Sequence, residues 1–138
     1  MDSGEASGPV IVLIVEDEPD NWEIMRTVVE EILGYWAKWA ADGRAAVHMA
    51  VAIRPSLILM DLMIPVLDGF EAITTLRHDE RTADIPIVAV TSLGRPTDRQ
   101  RALDIGATDY LSKPFDLDVL ADTVKRHIDP VPHSLQDT

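Results

Sequence analysis

Leu57-Ile58-Leu59-Met60-Asp61 is the stretch on which the fold turns. Four apolar residues in a row suit a strand covered on both faces, and the acid that ends them sits where such a strand emerges. The same pattern recurs outward from it. Upstream, residues 10–15 (VIVLIV) form a β-branched run that ends in Glu16, Asp17 and Glu18. Downstream, residues 86–90 (PIVAV) run into Thr91 and Ser92, and the shorter run 109–111 leads to Lys113 and Pro114. Residues 35–40 complete the set as a short strand at an edge.

Helical patterns separate these runs. Between residues 21 and 33, Ile24, Met25, Val28, Val29 and Ile32 fall on one side at 100° per residue, with Trp22 at the rim and Gly34 as a stop. Asp42-Gly43 opens a second helix toward Ile53, and residues 69–77 place Phe70, Ile73 and Leu76 on one face. Pro96 suits the first turn of a helix that stops at Gly106. Asp116 is placed to cap a last helix with the stripe Leu117, Leu120, Ala121, Val124 and Ile128. Alternating apolar strands and amphipathic helices predict an α/β fold, a doubly wound five-stranded parallel sheet with helices on both faces.

The chain has 138 residues, 46% of them apolar and 26% charged, which fits one domain with a full core. Residues 1–8 read as a flexible leader, 9–130 as the domain and 131–138 as a tail. No apolar run approaches the roughly 18 residues of a membrane span. There is no cysteine, which excludes disulfides and thiolate zinc sites and fits a cytoplasmic location. Twelve basic against twenty-four acidic residues leave a net charge of -12. That balance disfavours nucleic acid and anionic membrane as partners of this chain. His48, His78, His127 and His133 show no ligand spacing.

Ligands of such sheets bind beyond the carboxyl ends of the strands. If the first and third strands are neighbours, Glu16, Asp17 and Asp61 meet at one rim. Two unit charges about 4 Å apart cost on the order of 4 kcal/mol at an effective dielectric near 20, so the cluster needs a cation, a proton or a lysine. An all-oxygen ligand set without His or Cys suits Mg²⁺ better than zinc. Lys113 supplies a second positive charge. Asp61 is the candidate nucleophile for an acyl phosphate, and Thr91 the hydroxyl that donates to it. Each residue alone is ordinary strand-exit chemistry; their joint placement on four strand ends is not.

Four segments carry a resemblance: IVED at 14–17, LILMDLMIPVLDG at 57–69, VAVTS at 88–92 and GATDYLSKPF at 106–115. The spacings are 44 residues from Asp17 to Asp61, 30 on to Thr91 and 22 on to Lys113. Over roughly residues 9–130 the chain resembles the CheY-like receiver domain of bacterial two-component response regulators. The resemblance implies a flavodoxin-like strand order 2-1-3-4-5. It implies that Asp61 accepts a phosphoryl group from a histidine kinase or histidine phosphotransfer protein. It implies Mg²⁺ held by Glu16, Asp17, Asp61 and the backbone carbonyl of Met63. Lys113 would pair with Asp61, Thr91 would turn toward the phosphoryl group, Tyr110 would swing inward behind it, and Pro114 would follow a cis peptide. The output would be a switched protein-binding surface, read by a downstream protein target, with a homodimer left open. Such a domain is a phosphoacceptor that catalyses only its own phosphorylation and dephosphorylation.

Met63 and Leu93 stand where some relatives carry polar groups, so they are expected to hinder the attacking water. Trp36 and Trp39, three apart on an edge strand, point to opposite faces. With Trp22 they either pack peripherally or form a partner or dimer surface. A dehalogenase-type phosphatase would need an acid at position 63, a flavodoxin relative a phosphate-welcoming loop in place of EDEPD, and a Rossmann site its glycine-rich turn. An all-helical phosphotransfer domain is excluded by the strands. The remaining alternative is a phosphorylation-independent receiver-like scaffold.

Overall fold

The computed structural model describes residues 9–128, so the leader and tail expectations, the last two residues of the domain range and His133 lie outside the described residues. The elements run β1 (Ile11–Val15), α1 (Pro19–Arg26, continued by a π-helical segment, Thr27–Ile32), β2 (Trp36–Ala40), α2 (Gly43–Ile53), β3 (Leu57–Met60), α3 (Gly69–Arg77), β4 (Ile87–Thr91), α4 (Pro96–Ile105), β5 (Asp109–Ser112) and α5 (Leu117–Ile128). All ladders are parallel, and the order is β2-β1-β3-β4-β5. The expected fold class and strand order are therefore found.

The unbroken apolar strands are explained by two cores, one on each face of the sheet. Leu13, Val15, Ile58, Met60, Ile87 and Ala89 meet α2, α3 and α4 through Ala46, Ala50, Ile73, Leu76 and Ala102. The alternate residues Val12, Ile14, Leu57, Leu59, Val88 and Val90 meet α1 and α5 through Met25, Val28, Val29, Leu120 and Val124. Because side chains alternate along a strand, a strand with both faces covered has no position left for a polar residue until it ends. That is why Glu16, Asp61 and Thr91 mark the rim.

The first helix departs from expectation. Met25, Val28 and Val29 are buried, but Ile24 is 45% and Ile32 55% exposed. For Ile32 the cause is the π-helical segment, in which the Leu33 N–H donates to the Val28 carbonyl, five residues back, at 3.0 Å. The wider turn rotates Ile32 off the buried stripe and packs Leu33 against the core instead. A uniform 3.6-residue period misassigns that position. At the other end of the chain Leu117 is likewise exposed, so the buried stripe of α5 begins at Leu120.

Arg77 closes the opposite end of the fold. Its guanidinium donates to the carbonyls of Ile85 (2.8 Å), Gly106 (2.9 Å) and Ala83 (3.0 Å). Burial holds its pKa below the ordinary arginine value, and Asp84 offsets part of that.

The edge strand is partly shielded. The Glu30 carboxylate accepts from the Ala37 N–H at 3.2 Å, occupying a strand donor that another chain would otherwise use. We expect Met25→Ala to lower stability by about 2–5 kcal/mol. Ile32→Ala should stay within about 0.5 kcal/mol, because its side chain already faces water. Urea denaturation of both variants checks this; equal losses would contradict the π-helical register.

Candidate functional site

Parallel pairing sets the site. The register Val15↔Met60 puts the residues after β1 and β3 side by side, and the Asp61 N–H donates to the Val15 carbonyl at 3.1 Å. β5 is aligned on β4 through Thr91↔Ser112, and the Lys113 N–H donates to the Thr91 carbonyl at 2.9 Å. Acids therefore arrive from the centre of the sheet and the lysine from its far side.

The Lys113 Nζ donates to Glu16 Oε1 at 2.6 Å and to Asp61 Oδ2 at 2.9 Å. Glu16 is fully buried, and its second oxygen accepts from the Glu18 N–H at 3.1 Å. Burial pushes the Glu16 carboxyl above its ordinary pKa, and the Lys113 and Glu18 hydrogen bonds recover only part of that. For Lys113, burial works against the ammonium, but its bonds to Glu16 and Asp61 outweigh it and hold the pKa above the ordinary lysine value. Asp61 Oδ1 accepts from the Met63 N–H at 2.9 Å, so each of its oxygens has a partner. Asp17 is exposed at the mouth. Among the described residues, Glu16, Asp17 and Asp61 bring their carboxylate oxygens within 4.8 Å of one another.

Thr91 is buried at the end of β4, its hydroxyl accepting weakly from the Leu93 N–H at 3.4 Å. The Tyr110 hydroxyl donates to the Leu93 carbonyl, and burial followed by the Asp98 charge pushes its pKa up. The Lys113–Pro114 peptide is cis, as the resemblance implied. Met63 is 58% exposed beside the rim. A cavity of about 320 Å³ opens between α1 and the loop before α5, lined by Asn21, Ile24, Met25, Lys113, Phe115 and Leu117.

Residues 12–125 match the response regulator receiver domain family. This chain belongs to that family.

The receiver is 40% identical over 126 residues to the DNA-binding dual master transcriptional regulator RpaA of Synechocystis, covering 89% of this chain and 52% of that protein. It spans about half the length, or less, of the curated relatives it matches. Among solved structures, it is similar to the receiver domain of a Pseudomonas aeruginosa sensor histidine kinase with a magnesium ion coordinated in the active site cleft. That pair has 37% identity and a TM-score of 0.80, covering 88% of this chain and 98% of that one. The Vibrio cholerae chemotaxis protein CheY4 aligns with a TM-score of 0.80 at 31% identity, over 87% of this chain and 99% of that one. Among the described residues of the receiver, no helix is long and apolar enough to cross a membrane.

Two contributions to the site escaped the sequence reading. Gly69 lets α3 approach β3, since a Cβ there would lie 2.5 Å from the Asp61 carbonyl oxygen and from the Leu62 Cα. Trp39 reaches the acidic loop, its indole N–H donating to the Glu16 carbonyl at 2.6 Å. Gly69 could be read only as a helix opener, and nothing in the spacing of Trp39 signals the contact. Trp22 stacks on Trp39 with ring centroids 5.1 Å apart and planes 7° apart, so these two pack on each other, whereas Trp36 is 58% exposed.

Replacing Lys113 with methionine leaves buried Glu16 facing Asp61 without a counter-charge. We expect a loss near the lower end of the roughly 3–5 kcal/mol for a broken buried pair at pH 7. The loss should shrink at pH 5, because protonation of Glu16 relieves the variant while native Lys113 stays charged through this range. Denaturant melts at the two pH values read this directly; a loss independent of pH would contradict it.

Proposed function

We propose that this receiver accepts a phosphoryl group on Asp61 from a phosphohistidine donor, a histidine kinase or a histidine phosphotransfer protein, and presents a changed surface to a downstream protein target. The observation that carries this is the bridge of Lys113 to Glu16 and Asp61 at the end of the sheet, with Asp17 beside it. In this reading an Asp61 carboxylate oxygen attacks phosphorus and the P–N bond breaks. The imidazole leaves with the bonding electrons and takes up a proton. Water later attacks the acyl phosphate, and inorganic phosphate departs. The chain catalyses only these two steps on itself.

The donor set fits a divalent cation. Three carboxylates face one ammonium, so negative charge remains, and every ligand atom is oxygen. Glu16, Asp17, Asp61 and the Met63 backbone carbonyl would hold Mg²⁺, which when bound supplies positive charge for the phosphoryl oxygens. Lys113 holds Asp61 before transfer and the phosphoryl group after it. Thr91 reorients its hydroxyl to donate to that group, and Tyr110 moves behind it. The two are linked already, since both contact Leu93. The net charge of -12 supports a protein target over nucleic acid. A phosphohistidine donor of this kind would place the receiver in the cytoplasm.

Intact-mass spectrometry after treatment with a small phosphodonor and Mg²⁺ tests the assignment. One added phosphoryl group is expected, absent in Asp61→Asn and absent without divalent cation. No addition to the native protein would favour a phosphorylation-independent scaffold. Because Met63 and Leu93 flank the site as apolar residues, Met63→Asn and Leu93→Glu should release phosphate faster than the native receiver. Rates of phosphate release unchanged in both variants would remove that role.

A further inference from the structure

Glu16 is held at every polar atom it owns. Its N–H donates to the Ala40 carbonyl at 3.0 Å, its two carboxylate oxygens take Lys113 and Glu18, and its carbonyl takes the Trp39 indole N–H. The last contact is the unusual one. It comes from a side chain on the edge strand β2 and crosses to the peptide that joins Glu16 to Asp17. Backbone pairing aligns β2 on β1 only as far as Val15↔Ala40, so the ladder ends just before that peptide. Beyond this point side chains hold the loop: the Glu16 carboxylate takes the Glu18 N–H, and the Trp39 indole N–H donates to the carbonyl of the Glu16–Asp17 peptide itself.

Trp39 is itself fixed. One face lies against Trp22 in a near-parallel stack, and Trp22 belongs to α1, the helix that the acidic loop leads into. The indole thus ties β2, the loop and α1 together at the peptide between two of the three acids. At 2.6 Å this is a short N–H···O bond. Rotation of that peptide would carry Asp17 away from Glu16 and Asp61, whose own positions are set by Lys113 and the sheet.

We propose that Trp39, braced by Trp22, is a positioning residue that holds the Glu16–Asp17 peptide in the orientation needed to bind a divalent cation and so to accept phosphate on Asp61. The inference rests on the reading of Glu16, Asp17 and Asp61 as the cation-binding acids. It differs from peripheral packing in one measurable respect: its loss should weaken cation binding, not only stability.

The test is calorimetric titration of Mg²⁺ into native receiver, Trp39→Phe and Asp17→Asn, with thermal melts of each. Trp39→Phe keeps an aromatic ring for the stack and removes the N–H. A lost hydrogen bond of ordinary strength corresponds to roughly a 2- to 10-fold weaker dissociation constant for Mg²⁺. The rate of modification by a small phosphodonor at subsaturating Mg²⁺ should fall by a similar factor and recover at saturating Mg²⁺. Should Trp39→Phe fail to fold, the benzothiophene isostere of Trp39, with both rings and no N–H, serves in its place. Native-like Mg²⁺ affinity in a folded variant lacking the N–H would overturn the proposal, whatever happens to its melting temperature. Native protein that binds no Mg²⁺, or Asp17→Asn that binds it as well as native, would instead overturn the underlying assignment of the acids.

Discussion

One ammonium group makes the rim of this sheet tolerable. Lys113 contributes a single charge shared between Glu16 and Asp61, residues brought together from strands far apart in the chain. Without it, a fully buried glutamate would face another carboxylate a few ångströms away, a repulsion of several kcal/mol in a medium of intermediate dielectric. The bridge is incomplete by design of the charges: three acids and one lysine leave negative charge uncompensated. The same imbalance that strains the rim favours a cation beside the three acids, and with it the proposed phosphoryl chemistry.

The rest of the fold serves this arrangement. Two apolar cores cover the sheet, so the central strands can carry no polar residue until they end, and all polar chemistry is pushed to the strand tips. α3 closes on β3 at Gly69, which keeps the segment after Asp61 tight enough for the Met63 N–H to hold a carboxylate oxygen. Leu93 links the other half of the rim, receiving the Tyr110 hydroxyl on its carbonyl while its N–H meets Thr91. A change in Thr91 thus has a short physical path to Tyr110 and to the loop before α4. Trp39 and Trp22 do for the acidic loop what Lys113 does for the carboxylates, replacing freedom with a fixed geometry.

Membership in the receiver family was open to reading because its signals are local and categorical. An apolar run that stops at an acid, a hydroxyl or a lysine shows up in the order of residues, and the strand boundaries moved by only a residue where they moved at all. The amphipathic stripes of α3 and α5 were equally plain at their centres. Legibility failed where a conformation breaks its own period. Nothing in residues 27–32 marks the π-helical turn that carries Ile32 into solvent and Leu33 inward. The tryptophans were likewise ambiguous, since their spacing is compatible with packing or with an exposed surface.

Residue order alone determined the five-strand parallel architecture and which acids, lysine and hydroxyl stand at the strand ends. These follow from hydropathy and side-chain type, which are properties of each position. Three-dimensional packing settled which oxygen meets which nitrogen: Lys113 on Glu16 as well as Asp61, Met63 N–H on Asp61, and the Trp39 indole on the Glu16 carbonyl. Those contacts join residues many positions apart, and their geometry depends on register, helix approach and ring stacking, none of which any single stretch of the chain contains.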